Sequence, residues 1–307
     1  MAPAGPVAAA PALGPGANGE PITPIPSPPA QDPRRQSLGE RLFRDPRLSH
    51  DNVRACSTCH DIRTNGASTN AHNLSARGRP LPLNTPTVFN AALSFRFNWE
   101  GDVRSLDAET EHILASPDIM ATSVDEVVAK LDADPELVRQ FREAYGRGPD
   151  RQAMLSAISA YERSLLTPGA RFDRWLGGDT RVLTNDELAG YRLFKSLGCI
   201  SCHQGVNVGG NLYQRHGIFF PLGAPLPVVL RVPSLRNVAT TAPYFHDGSA
   251  ATLSEAVKQM GRVQLNRHLT DQQIALIVAF LRTLTGVYQS RPVVAGPPPP
   301  QPGAAGR

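Results

Sequence analysis

Cysteine is nearly absent, with four in 307 residues. All four sit in two short stretches, so none is left over for a disulfide. Aromatic residues are few, at 6%, which is low for cores filled by side chains alone. No apolar run approaches the roughly 20 residues that cross a bilayer as a helix. Ile274–Phe280 reads instead as the buried stripe of a helix. Alternating apolar–polar patterns are scarce, which argues against a fold built on half-buried sheets. A large excess of one charge is missing too: the formal net charge is +4, and nothing supports a nucleic-acid partner.

The two cysteine stretches are Cys56-Ser57-Thr58-Cys59-His60 and Cys199-Ile200-Ser201-Cys202-His203. Two thiols at this spacing reach both vinyl groups of one haem, and the adjacent imidazole falls onto the iron. Zinc sites also use Cys-x-x-Cys, but these pairs lie far apart and each carries its own His. A thioredoxin-type dithiol calls for a strand-rich βαβ context that is not there. Two covalently bound haem c groups are therefore expected. Their porphyrins would help to fill the aromatic-poor cores, and their propionates would bring the net charge close to neutral.

The remaining signals are helical. Ser123-x-x-Glu126, Thr184-x-x-Glu187, Thr252-x-x-Glu255 and Thr270-x-x-Gln273 have the form of capping boxes. Asp134-Pro135 offers an N-cap with proline at the first helical position. Leu137, Phe141, Ala144 and Tyr145 follow at helical spacing, as do Ile158, Tyr161, Leu165 and Leu166. The expected fold is all-α, with long haem-covering loops at 77–86 and 204–233. Residues 1–33, crowded with Pro, Ala and Gly, read as a disordered tail, and 290–307 as a second one. The first tail has neither a basic n-region nor an unbroken apolar stretch. Covalent haem attachment normally takes place outside the bacterial cytoplasm, so a periplasmic protein whose export signal has been removed is expected.

An internal repeat organises the chain. Gly39-Glu40-Arg41-Leu42-Phe43 precedes the first haem motif and Gly190-Tyr191-Arg192-Leu193-Phe194 the second. Pro86-Thr87-Val88-Phe89-Asn90-Ala91-Ala92 matches Pro233-Ser234-Leu235-Arg236-Asn237-Val238-Ala239. Trp99-Glu100-Gly101 then matches His246-Asp247-Gly248 without a gap. Two cytochrome c-like haem domains arising from a duplication are expected, at 34–167 and 168–289.

With these stretches in place, residues 20–286 resemble the bacterial dihaem cytochrome c peroxidases and their relatives. The similarity rests on Leu42-Phe43 with Pro46-Arg47-Leu48-Ser49, both haem motifs, Asn84–Asn90, Trp99-Glu100-Gly101, Val232–Val238, Tyr244–Gly248, and Met260-Gly261 with Gln264-Leu265. The resemblance implies His60 and His203 as proximal iron ligands and Met260 as the axial ligand of an electron-accepting haem. A thioether raises haem potential, whereas core filling is the ordinary use of a helical Met. It implies Trp99 as an electron relay between the haems, against the alternative of an ordinary buried aromatic. It places a calcium ion at Asn84 and the carbonyls of Thr241 and Pro243, and neutral oxygens suit that ion. His72 matches the removable distal ligand of the peroxidatic haem. His50, His216 and His268 read as surface residues, and His246 as structural or interfacial.

The sequence departs from the family at one position. Where relatives commonly read Pro-x-Glu-Met, with the Glu as acid–base, this chain has Pro117-Asp118-Ile119-Met120. Glu109 stands where relatives usually carry a pocket Gln, and His112 and Asp118 are the other candidates for the proton-moving group. Met260 and Ile113 lie equally far beyond Gly248 and Gly101, so the helix expected to seal the second haem with a thioether is expected to leave the first open. The alternative is that His72 or His112 binds the first iron permanently and Glu109 is a solvated helix charge. The activity this implies is reduction of hydrogen peroxide with electrons from a small cytochrome c or cupredoxin, entering at the C-terminal haem and passing to the N-terminal one. Two alternatives stay open: a protein-modifying dihaem oxidase, whose relatives carry Tyr at the Met260 position, and a non-catalytic electron-transfer cytochrome. The resemblance also leaves room for a homodimer.

Overall fold

The computed structural model describes residues 19–215, 217–222 and 229–297. Helices α1 (Pro33–Phe43), α2 (Cys56–Cys59), α3 (Leu106–Ala115), α4 (Val124–Asp132), α5 (Pro135–Tyr145) and α6 (Arg151–Ser164) make the first half. In the second half α7 (Arg171–Leu176) and α8 (Asn185–Ser196) precede α9 (Leu253–Leu265) and α10 (Asp271–Arg282). None of the described helices is long and apolar enough to cross a membrane.

A glycine sets the main crossing in each half. On α1, a Cβ at Gly39 would run into the carbonyl of Ala157 on α6, and on α8 one at Gly190 would run into that of Leu276 on α10. Helices that touch backbone to backbone bury the side chains on either side of the contact. Around the first crossing lie Leu38, Leu42, Leu137, Phe141, Met154, Ala157 and Ile158; around the second, Phe172, Tyr191, Phe194, Ile277 and Phe280. Further features occur once per half. Asn90 and Asn237 both take left-handed backbone (φ 62° and 59°) ahead of a short 3-10 turn. Gly101 and Gly248 both have positive φ (75° and 66°).

Four helix starts follow their sequence signals, one of them only in part. Thr184, Thr252 and Thr270 form reciprocal capping boxes with Glu187, Glu255 and Gln273. Ser123 accepts from the Glu126 amide, but the Glu126 carboxylate turns away to Lys130 (2.8 Å) and His50 (3.0 Å). Two charge-assisted partners outcompete one backbone amide.

The chain is mostly helical rather than purely so. Strands β1 (Tyr213–Arg215) and β2 (Val229–Arg231) pair antiparallel within the long 204–233 segment, and β3 (Val287–Tyr288) pairs with β4 (Arg291–Pro292).

Both expected tails are partly ordered. Residues 19–32 form an extended strap on the second half. Ile22 and Ile25 are buried, Glu20 binds Tyr191 (2.6 Å) and Lys195 (2.9 Å), and the Thr23 carbonyl accepts from Arg236 (2.7 Å). Proline removes donors and stiffens the chain without preventing burial of the isoleucines between prolines. At the other end Val293 is buried against Phe43, Ile62 and Tyr161. Residues 1–18, 216, 223–228 and 298–307 lie outside the described residues, and with them His216 and the outer parts of both tails.

Candidate active site

The two Cys-x-x-Cys-His stretches present the same chemistry. Cys56, Cys59, Cys199 and Cys202 are half-buried free thiols. Burial pushes the Cys56 thiol up to about 12, with the nearby Glu162 carboxylate adding to the effect, and the Cys199 thiol up to about 11. Redox-active dithiols need depressed values, so these cysteines are not a thioredoxin-type centre. His60 Nδ1 faces the Gly66 carbonyl at 3.1 Å and His203 Nδ1 the Val208 carbonyl at 3.2 Å. A carbonyl can only accept, so Nδ1 carries the proton and the Nε2 lone pair is left for a metal. Desolvation lowers both imidazoles, His203 to about 4, and so keeps them neutral as ligands must be. Met260, on α9, belongs to none of the core clusters, whereas Met120 and Met154 are buried in them. This donor set fits a covalent haem on each motif.

Beside the first motif, α3 crosses α6. Ile113 and Cys56 both pack on the cluster built from these helices. Glu109 stands one turn before Ile113 on α3. Its Oε2 is sealed from solvent and has no hydrogen-bond partner. Desolvation raises the Glu109 carboxyl to about 6, opposed by His112 and by Arg231. Glu162 on α6 is in the same condition. Its Oε2 is buried and unpartnered, and burial together with the Glu109 charge pushes the carboxyl up to about 8.

The seam between the halves is built around Trp99. Its Nε1 donates to the Asn84 carbonyl (2.9 Å), its ring meets the His246 ring edge-on (centroids 4.5 Å apart), and the Arg231 guanidinium lies over it at 5.3 Å. The Arg231 amide donates to the Trp99 carbonyl (2.8 Å), and the Arg231 carbonyl is 2.9 Å from His246 Nε2. His246 is thus interfacial, as its place in the repeat suggests.

Glu109 and Trp99 are drawn to one region, since Arg231 interacts with both. The other proposed groups are less enclosed. His72 is exposed with Nδ1 2.7 Å from the Leu81 carbonyl, while His112 and Asp118 are exposed on and just after α3. Asn84 is buried, and its amide donates to the Asn70 and Ala71 carbonyls at 3.0 and 3.1 Å. Thr241 and Pro243 are half-buried. Two residues escaped sequence reasoning, Arg231 and Glu162. Glu162 did leave a signal, because it stands four residues after Ile158, at the spacing of the apolar stripe itself. Arg231 left only its position, just ahead of the Val232-Pro233 that opens the second repeat.

Comparison with known proteins follows the same division. A di-haem cytochrome c peroxidase family model matches residues 33–181, and a cytochrome c model matches 188–285. The cytochrome c551 peroxidase of Nitrosomonas europaea is 39% identical over 285 residues, covering 87% of this chain and 84% of that protein. The chain belongs to the dihaem cytochrome c peroxidase family. Members carry two covalently bound c-type haems, and both attachment motifs are intact here. Within the same superfamily, the methylamine utilization protein MauG of Methylorubrum extorquens is 33% identical, with 82% of this chain and 78% of that protein covered. A solved structure described as a MauG-like protein associated with microbial copper homeostasis superposes with a TM-score of 0.74 at 26% identity, covering 85% of this chain and 93% of that one.

Proposed function

We propose that this chain is a periplasmic dihaem peroxidase that reduces hydrogen peroxide to water at the first motif, with electrons accepted at the second from a small cytochrome c or cupredoxin. The observation that carries the reading is the buried Glu109 carboxyl, with an unpartnered oxygen one helical turn from Ile113. When bound, the haems supply the electron storage and the iron chemistry of peroxide reduction. His60 and His203 would each ligate one of them, Met260 would be a further ligand to the second, and Ile113 has no atom that could ligate the first. Glu109 Oε2 takes a proton from one peroxide oxygen and returns it to the departing one, as a general acid–base. Ile119 cannot do this, and Asp118 is exposed.

Trp99 relays electrons across the seam, held in place by Asn84, His246 and Arg231. Asn84 with the Thr241 and Pro243 carbonyls offers neutral oxygens to a calcium ion at the same seam. A donor protein has an apolar landing surface on the second half, where Leu212, Ile218, Phe219, Phe220 and Val229 are exposed. The repeated glycine crossings and asparagine turns support descent from one duplicated unit, with domains at 34–167 and 168–289. Met260, in place of Tyr, separates this chain from the protein-modifying oxidases.

The test is peroxide turnover by the prereduced protein. Burial raises the Glu109 carboxyl to about 6, and the base form is the ionised one. The wild-type kcat/KM for peroxide should therefore fall as pH drops through about 6. Glu109→Gln should lose on the order of 10²-fold or more together with that limb, while Asp118→Asn keeps both. Equal turnover in all three proteins would remove Glu109 from the mechanism.

A further inference from the structure

We infer that Glu162 supplies protons to the peroxide site through Glu109, so that α3 and α6 together form a two-carboxyl proton relay. This rests on the peroxidase reading and adds to it a residue with no place in the acid–base step itself.

The need for such a group follows from the reaction's balance. One peroxide takes up two electrons and two protons, its O–O bond breaks, and two waters leave. Glu109 alone only moves the hydrogens that peroxide brings. The two further protons must come from solvent, across a pocket built to exclude it, while the electrons arrive from the donor protein.

Glu162 is placed for this task. It stands on α6 next to Tyr161, a residue of the cluster on which Cys56 packs. Its Oε2 has no solvent contact and no hydrogen-bond partner, and the same holds for Glu109 Oε2 on the facing helix. An ionised carboxylate left unpaired in such a place is costly, so the group stays protonated. A structural glutamate in a helix core would be expected to have a cationic or amide partner. The ionisable groups around it are few. Asp107 and Glu109 face it from α3, Arg163 is its neighbour on α6, and Cys56 lies within electrostatic reach. From α1, Glu40 and Arg44 act on Tyr161 instead. Only Arg163 favours the ionised form, and it is exposed.

The same helix pair carries a group that reaches solvent. Asp107 is half-exposed, and its carboxylate accepts from the Ser159 hydroxyl, one turn before Glu162 on α6. The proton passes from solvent past Asp107 to the Glu162 carboxyl, then to the Glu109 carboxylate, then to the departing oxygen. Each O–H bond broken on one carboxyl is replaced by one on the next.

The carboxyl of Glu162 is pushed up to about 8 and that of Glu109 to about 6. Between these values one group is acid and the other base, which is the pairing that gives a bell-shaped rate profile. The test compares the haem-loaded wild type with Glu162→Gln and Glu162→Asp, using peroxide and a reduced small cytochrome c from pH 5 to beyond 9. The wild type should lose turnover as pH rises through about 8. Glu162→Gln should run about tenfold slower or worse and lack that upper limb, and Glu162→Asp should keep the limb.

Thermal melting of the same proteins gives a readout independent of turnover. A carboxyl raised on folding binds its proton more tightly in the native state, so stability is greatest at low pH. It declines from the ordinary glutamate range, about 4.3, up to about 8. That decline should be shallower in Glu162→Gln. If Glu162→Gln retains the wild-type upper limb and the wild-type melting profile, the relay is overturned although the peroxidase reading stands. Absence of turnover in the wild type would instead overturn the peroxidase reading, and the melting profile would then decide whether Glu162 holds its proton.

Discussion

Met260 is set apart from the other described methionines. Met120 and Met154 are packed among apolar neighbours, and Met260 is half-buried on α9 outside every cluster. A thioether that takes no part in a core is available as a ligand. Met260→Leu should abolish the near-infrared thioether-to-iron band of the holoprotein and lower the potential of the haem held by His203, since axial Met raises it. An unchanged spectrum would make the side chain ordinary packing. At this scale the two haem-attachment motifs were legible because their chemistry fixes their spacing. Arg231 and Glu162 were not, because the burial of an ionisable side chain is set by the elements packed around it, and those lie far away in sequence. Glu109 was singled out as the place where relatives usually carry a pocket Gln, and the structure adds that its Oε2 is buried without a partner.

Among the helices, the glycine pair Gly39 and Gly190 decides how closely each half can close. Alanine is the better helix former by about 1 kcal/mol in isolation. At Gly190, however, its Cβ would meet the Leu276 carbonyl, with the Phe280 side chain next to it. Overpacking costs about 1–3 kcal/mol, so Gly190→Ala should destabilise despite its propensity. Gly39→Ala should do the same through Ala157. Urea unfolding of the holoprotein measures both, and a stabilised variant would show that the helices part freely. Helix starts were the most legible elements, since a cap is a local contract between residues three apart. Ser123 shows where that fails, because Glu126 found a lysine and a histidine that its own helix turn could not announce. The strap at 19–32 was misread for the complementary reason. Its composition is that of a linker, and only the placement of Ile22 in the second core and of Ile25 against Leu166 and Val206 makes it structure.

At the scale of the molecule, the two halves also meet at a buried hydroxyl. Thr167 Oγ1 accepts from Asn90 (2.8 Å) and from Asn237 (3.0 Å), the corresponding residues of the two repeats. The same asparagines return bonds to the Thr167 and Gly286 amides, both 2.9 Å. All three side chains are buried. Rotating one half against the other would break the Asn237–Thr167 bond together with the one from Asn207 to the Asn90 carbonyl (3.3 Å), at about 1–3 kcal/mol for each buried group left unsatisfied. The join is therefore a weld and not a hinge. If access to the first site changes on reduction, the place to look is the 72–82 segment, where His72 is exposed while Asn73 and Ser75 are buried. Amide hydrogen exchange should change there after one-electron reduction and stay protected at Asn90, Thr167 and Asn237. Loss of protection at those three would mean that the machine opens along its spine.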